Sequence, residues 1–144
     1  MRKEKYKGEK MLRVILASRD AKGLARFAAG LRQDPQTEAA WVDSAAAALD
    51  AVGQARTDLV VVGEDLVDAS PVACVSQLIR RNPMINCAMI SDMDHDAFHQ
   101  ATEGLGILMQ LPPSPSAEDA RALLAKLGSI AVQLGGFAGT GAKE

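Results

Sequence analysis

Cysteine is nearly absent from this chain. Cys74 and Cys87 are its only two thiols, and neither belongs to a CxxC pair or a Cys/His cluster. That excludes a disulfide framework and fits a reducing, cytoplasmic setting. No apolar run approaches the ~18–20 residues a membrane span requires, and no signal-peptide pattern follows the basic start. An excess of one charge is lacking too: 16 Lys and Arg face 18 Asp and Glu, a net charge of −2. The chain as a whole therefore has no electrostatic drive toward nucleic acid or an acidic membrane. Wholesale disorder is excluded by a 48% hydrophobic and 24% charged composition, and 144 residues are enough for one domain.

The two ends differ from the middle. Residues 1–10 carry Arg2, Lys3, Lys5, Lys7 and Lys10 against Glu4 and Glu9 with no apolar periodicity, so a solvated basic extension is expected there. Residues 135–144 are rich in glycine. They lack the spacing of a phosphate-binding P-loop, because Ala142 separates Gly141 from Lys143 and Glu144 stands where a hydroxyl residue is needed. A flexible tail is expected.

Residues 11–134 alternate short apolar runs with helical patterns. The runs predict strands at Met11–Ala17, Ala39–Val42, Asp58–Gly63, Ile85–Ser91 and Ile107–Leu111. Between and after them, helices are expected at Ala21–Gln33 capped by Asp20, from Asp43 or Ser44 to Arg56, and at Ser70–Arg81 with Pro71 in the first turn. Two more are expected at His95–Glu103 and Ala117–Leu134. Apolar strands alternating with helices imply an α/β, three-layer, flavodoxin-like fold with a five-stranded parallel sheet in the order 2-1-3-4-5. Ligands in such folds sit at the C-terminal strand ends, which directs attention to Ala17–Asp20, Gly63–Leu66, Ser91–Asp94 and Leu111–Pro113.

Three of these segments carry a resemblance. Asp58-Leu59-Val60-Val61-Val62-Gly63, Ile85 to Asp92, and Gly104-Leu105-Gly106-Ile107-Leu108-Met109-Gln110-Leu111-Pro112 align without gaps. Over about Leu12 to Gly128 the chain resembles the receiver domains of bacterial response regulators. The resemblance implies a phosphorylatable aspartate after strand three, but Gly63 stands there. It implies two metal-holding acids after strand one, where Ser18 and Arg19 stand. The family's lysine is Leu111 and its switch aromatic is Leu108, whereas Ser91 and Pro112, preceded in the family by a usually cis peptide bond, keep the pattern.

The expectation is a degenerate receiver with no enzymatic activity, no cofactor and no metal. It would act as a phosphorylation-independent signalling or protein–protein interaction module with a signalling protein as partner. The long apolar stripe of the last helix either packs more core than usual or buries its last turns against another subunit; the resemblance favours a homodimer through the fourth helix, fifth strand and fifth helix, with Leu127, Ile130 and Leu134 as candidate contacts. The alternative is a sensor of a small anion in the vacated pocket, held by Arg19 and Ser91. Glu64 or Asp65 is placed to offer a substitute acid or to pair with Arg19.

Other constellations are weaker. His95, His99 and Glu103 recur at four-residue spacing, where two imidazoles one turn apart suit Zn²⁺ or Ni²⁺ but the third group is a stretch. Met84, Met89, Met93 and Met109 read as core filler. The single Trp41 reads either as half-buried or as an interface anchor.

Overall fold

A computed structural model describes residues 11–134, and side chains through Ile130. Five parallel strands, β1 (Leu12–Ala17), β2 (Thr37–Val42), β3 (Leu59–Val62), β4 (Asn86–Ile90) and β5 (Met109–Leu111), form one sheet in the order β2-β1-β3-β4-β5. The helices are α1 (Ala25–Arg32), α2 (Ala45–Gln54), α3 (Pro71–Arg81), α4 (His95–Ala101) and α5 (Ala117–Leu134). The expected fold class and strand order are those observed. The basic stretch 1–10 and the glycine-rich stretch 135–144 lie outside the described residues.

The strands read as continuous apolar runs because both faces of the sheet are covered. Side chains alternate along each strand, so Val14, Leu16, Leu59 and Val61 face a core closed by Phe27 and Leu31 of α1 and Leu123 and Leu127 of α5. Ile15, Ala17, Val60 and Val62 face the opposite core, closed by Ala48 of α2, Cys74 and Leu78 of α3, and Phe98 of α4. Burying one such aliphatic or phenyl side chain stabilises the fold by about 1.5–3 kcal/mol.

Short polar side chains set the helix starts. Ser44 Oγ accepts the Ala47 N–H at 3.0 Å, Ser70 Oγ that of Ala73 at 3.1 Å, and Asp94 Oδ1 that of Ala97 at 2.8 Å. Before α5, Ser116 and Asp119 cap each other reciprocally, at 2.8 Å from the Ser116 N–H and 3.1 Å from the Asp119 N–H. Asp20 does not cap the first helix as expected: its Oδ1 takes the Gly23 N–H at 2.9 Å within a turn over residues 21–24, and α1 begins only at Ala25, with Leu24 at its N-cap and no side-chain cap bond.

Three further expectations are corrected. The fourth helix ends at Ala101, with Gly104 and Gly106 at φ +86° and +65° in the following turn, so Glu103 is not on it. Leu108 lies just before β5, buried against the α1/α5 core. No cis peptide bond occurs among the described residues, Leu111–Pro112 included.

The last helix packs on α1. A Cβ on Gly30 would lie 2.8 Å from both the Cα and the carbonyl oxygen of Ala117, so only glycine permits this approach. Leu127 is accordingly buried at 5% exposure, a core residue and not a dimer contact as expected. Ile130 packs partly on the same core, and the Leu134 side chain lies outside the described residues. Met84 and Met93 are also misread as core: they are 80% and 41% exposed, while Met89 is buried and Met109 half-buried.

Candidate functional site

The parallel topology brings the loops after β1, β3, β4 and β5 to one end of the sheet. There Gly63 directly follows β3, its N–H donating to the Ala17 carbonyl at 2.9 Å. Two residues on, Asp65 turns back over it. The Ser18 hydroxyl donates to both Asp65 carboxylate oxygens at 3.2 Å, and the Arg19 backbone N–H donates to Oδ2 at 2.9 Å. The same Ser18 Oγ accepts the Asp20 N–H at 2.9 Å. A Cβ at Gly63 would stand 3.0 Å from Asp65 Oδ1 and 3.2 Å from Ser18 Cβ. The glycine is what leaves room for the carboxylate.

Asp68, three residues further, fastens the other side of this loop. Its Oδ1 and Oδ2 accept the Ala45 and Ala46 N–H groups at 2.9 and 3.0 Å. These are first-turn donors of α2 with no partner inside the helix. The two amide bonds hold the Asp68 carboxyl below its ordinary value. The β3–α3 loop is thus tied by one carboxylate to the β1–α1 turn and by another to the start of α2.

A cleft of about 140 Å³ remains beside Asp65, lined by Ser18, Asp20, Gly63, Glu64, Pro113 and Ser114 among others. Its lining holds three carboxylates and no Lys, Arg or His. Leu111 does not enter it, being fully buried in the core. Arg19 lines a different cavity, a groove of about 790 Å³ between α1 and the β2 edge. Among the described residues Arg19 makes no ion pair, so the expected pairing with Glu64 or Asp65 is replaced by a bond from its backbone.

Ser91 is buried and satisfied locally: its Oγ accepts the Met93 N–H at 3.1 Å, and its N–H donates to Leu111 O at 2.9 Å. It lines a third cavity with Asp92, Met93, Gln110, Pro112 and Pro113. Arg19 and Ser91 therefore do not form the joint anion site expected of them. Gln110, which the sequence reading passed over, ties β5 to the β4–α4 loop by donating to Met93 O at 2.8 Å and Ser91 O at 3.2 Å. Asp68 is not marked by any motif, although an acid-rich stretch directly after a buried strand is a usable signal.

His95 and His99 are adjacent on α4, ring centroids 4.3 Å apart, but no group of three metal-ligating side chains occurs among the described residues. No helix among them is long and apolar enough to cross a membrane.

No protein-family model and no curated protein sequence matches the chain. Solved structures do. The receiver domain of AraT, a response regulator from Geobacillus stearothermophilus, superposes with a TM-score of 0.74 at 16% identity, over 86% of this chain and 98% of that one. The chemotaxis response regulator CheY4 of Vibrio cholerae gives 0.70 at 15% identity, over 82% and 99%. The chain has the receiver fold. A protein described as a pilus assembly protein, cpaE of Burkholderia thailandensis, shares it at a TM-score of 0.67 and 18% identity, over 83% and 99% of the two chains. At these identities the likeness concerns the fold, and the chemistry has to be argued from the residues.

Proposed function

We propose that this chain is a phosphorylation-independent interaction module of a signalling system, without enzymatic activity of its own. The observation that carries the reading is the Asp65 carboxylate, bound by Ser18 and the Arg19 N–H over a residue, Gly63, that has no side chain. A receiver takes up a phosphoryl group on a carboxylate at that strand end and balances its charge with a metal ion and a lysine. Here a tethered internal carboxylate stands over the position, and the cleft beside it holds three carboxylates and no cationic side chain. A phosphoryl dianion placed there would meet like charge with no counter-ion, which disfavours both transfer and retention. The same lining disfavours the alternative reading, a free anion in the vacated pocket.

Partner contact is best supported at the rim of this end of the sheet. Val67 in the β3–α3 loop is 75% exposed and Met93 in the β4–α4 loop 41% exposed, and the loops bearing them leave adjacent strands. Val67 is held out of the core on a loop fastened by Asp65 and Asp68, and Met93 on one fastened by Gln110; such pre-ordering lowers the entropic cost of docking. The solved structures of like fold include a chemotaxis response regulator and the signal receiver domain of another response regulator, which favours a signalling protein as partner.

The test is quantitative cross-linking capture with the wild-type chain and a Val67→Glu/Met93→Glu variant of unchanged melting temperature. Expected is one stoichiometric protein partner, lost in the variant and recovered equally with and without acetyl phosphate and Mg²⁺. Recovery that depends on acetyl phosphate would overturn the reading.

A further inference from the structure

The groove between α1 and the β2 edge has the size and chemistry of a small-molecule site, about 790 Å³ where such sites are commonly ~300–1,000 Å³. Trp41, the only tryptophan of the chain, lies half-buried in it. The walls around the indole are small side chains: Ala25 and Ala28 of α1 and Ala47 of α2. Larger residues at those positions would fill the groove and cover the ring. As built, space remains beside an aromatic surface.

Charge is arranged at the margins. Arg19 enters from the β1–α1 turn and Arg32 from the last turn of α1, and both are exposed. Neither side chain has a hydrogen bond or an ion pair among the described residues. Asp43, also in the lining, is an exposed acceptor following β2. Arg32 also complements the α1 dipole at that end, which accounts for its charge but not for the open space beside Trp41.

We propose that this groove binds a nucleoside monophosphate: the base stacks on the Trp41 indole, Arg19 and Arg32 at the two ends of α1 supply the positive charge that draws the phosphate in, and Asp43 accepts from a ribose hydroxyl or base N–H. Guanidinium forks match phosphate geometry, and an indole face is a stacking surface for any base. The site is separate from the acidic cleft at Asp65. It goes beyond the interaction module proposed above, because a groove on the β2 side can be occupied whether or not a protein docks on the rim.

The single tryptophan provides the readout. Its fluorescence is titrated with adenosine and guanosine 5′-monophosphates, corrected for absorption, with ribose 5-phosphate and adenosine as the two halves of the ligand. Expected is saturable quenching by a monophosphate, weakened about tenfold or more in each of Arg19→Ala and Arg32→Ala, whose melting temperatures stay unchanged. Both half-ligands bind more weakly by a similar factor, and calorimetry on Trp41→Phe shows a comparable loss. Absence of saturable quenching by both nucleotides would overturn the proposal. So would affinity unchanged in both arginine variants, or ribose 5-phosphate binding as tightly as the nucleotide.

Discussion

Asp65 and Gly63 occupy one space between them: a Cβ on the glycine would come to 3.0 Å from the carboxylate oxygen of the aspartate. The pair explains why the end of β3 has an acid nearby but none on the strand itself. An alanine there requires the carboxylate or Ser18 to give by a few tenths of an ångström, against the bonds that the Ser18 hydroxyl and the Arg19 N–H make to Asp65. Gly63→Ala is expected to destabilise the chain by about 1–3 kcal/mol. Much of that loss should vanish when Asp65→Ser is added, with a coupling of about 0.5–3 kcal/mol in a double-mutant denaturation cycle. Additive losses would separate the two residues.

Acid should loosen the loop at Asp68. Its backbone hydrogen bonds, those to Ala45 first, lower its carboxyl from 3.8. A depressed carboxyl contributes stability that is present in full above 3.8 and is lost as pH falls through the lower folded value. Amide exchange at Ala45 and Ala46 should accelerate as pH is lowered through that window, relative to intrinsic rates. In Asp68→Asn the acid-dependent step should disappear. An unchanged profile in the variant would assign the acid sensitivity elsewhere.

Two helical glycines should respond with opposite signs. Gly30→Ala drives a methyl to within 2.8 Å of the Ala117 backbone, and overpacking of this kind costs about 1–3 kcal/mol. Gly128→Ala meets nothing within 4 Å and should raise stability by about 0.5–1 kcal/mol, the propensity difference in a helix interior. Urea denaturation of both variants checks the α1–α5 packing directly.

The thiols should be silent in the native state. Burial is the main cause that pushes Cys74 up to about 11 and Cys87 up to about 12, with Asp68 adding to the first. Native protein at pH 8 should release almost no thionitrobenzoate from Ellman's reagent on the timescale of an exposed thiol, and two equivalents after unfolding.

Much of the fold is readable in the sequence because the information is local. Strand runs such as Leu59–Val62 and caps such as Ser44, Ser70 and Asp94 sit beside the elements they specify. The site is harder to read because its contacts cross the chain. Ser18 and Asp65 are 47 residues apart, and Asp68 lies 23 from Ala45, so only the folded loops bring them together. Leu127 misleads for the same reason. A long apolar stripe looks like a free surface until α5 is seen to close on α1 at Gly30. Arg19 follows β1 in the sequence, which points it at the pocket beside Gly63, but nothing local tells that its side chain lines the groove on the other side of the β1–α1 turn.

On the function proposed above, Asp65 closes the position where a receiver would carry its phosphoryl group. The most direct test is thermal unfolding of the wild-type chain titrated with Mg²⁺ and beryllofluoride, a stable mimic of the phosphoryl group, beside Asp65→Ala. The expected result is no saturable change in Tm for the wild type. A saturable rise of several degrees would contradict the claim, since occupancy at about 100 times Kd is worth about 2.7 kcal/mol, and its loss in Asp65→Ala would identify Asp65 itself as the acceptor.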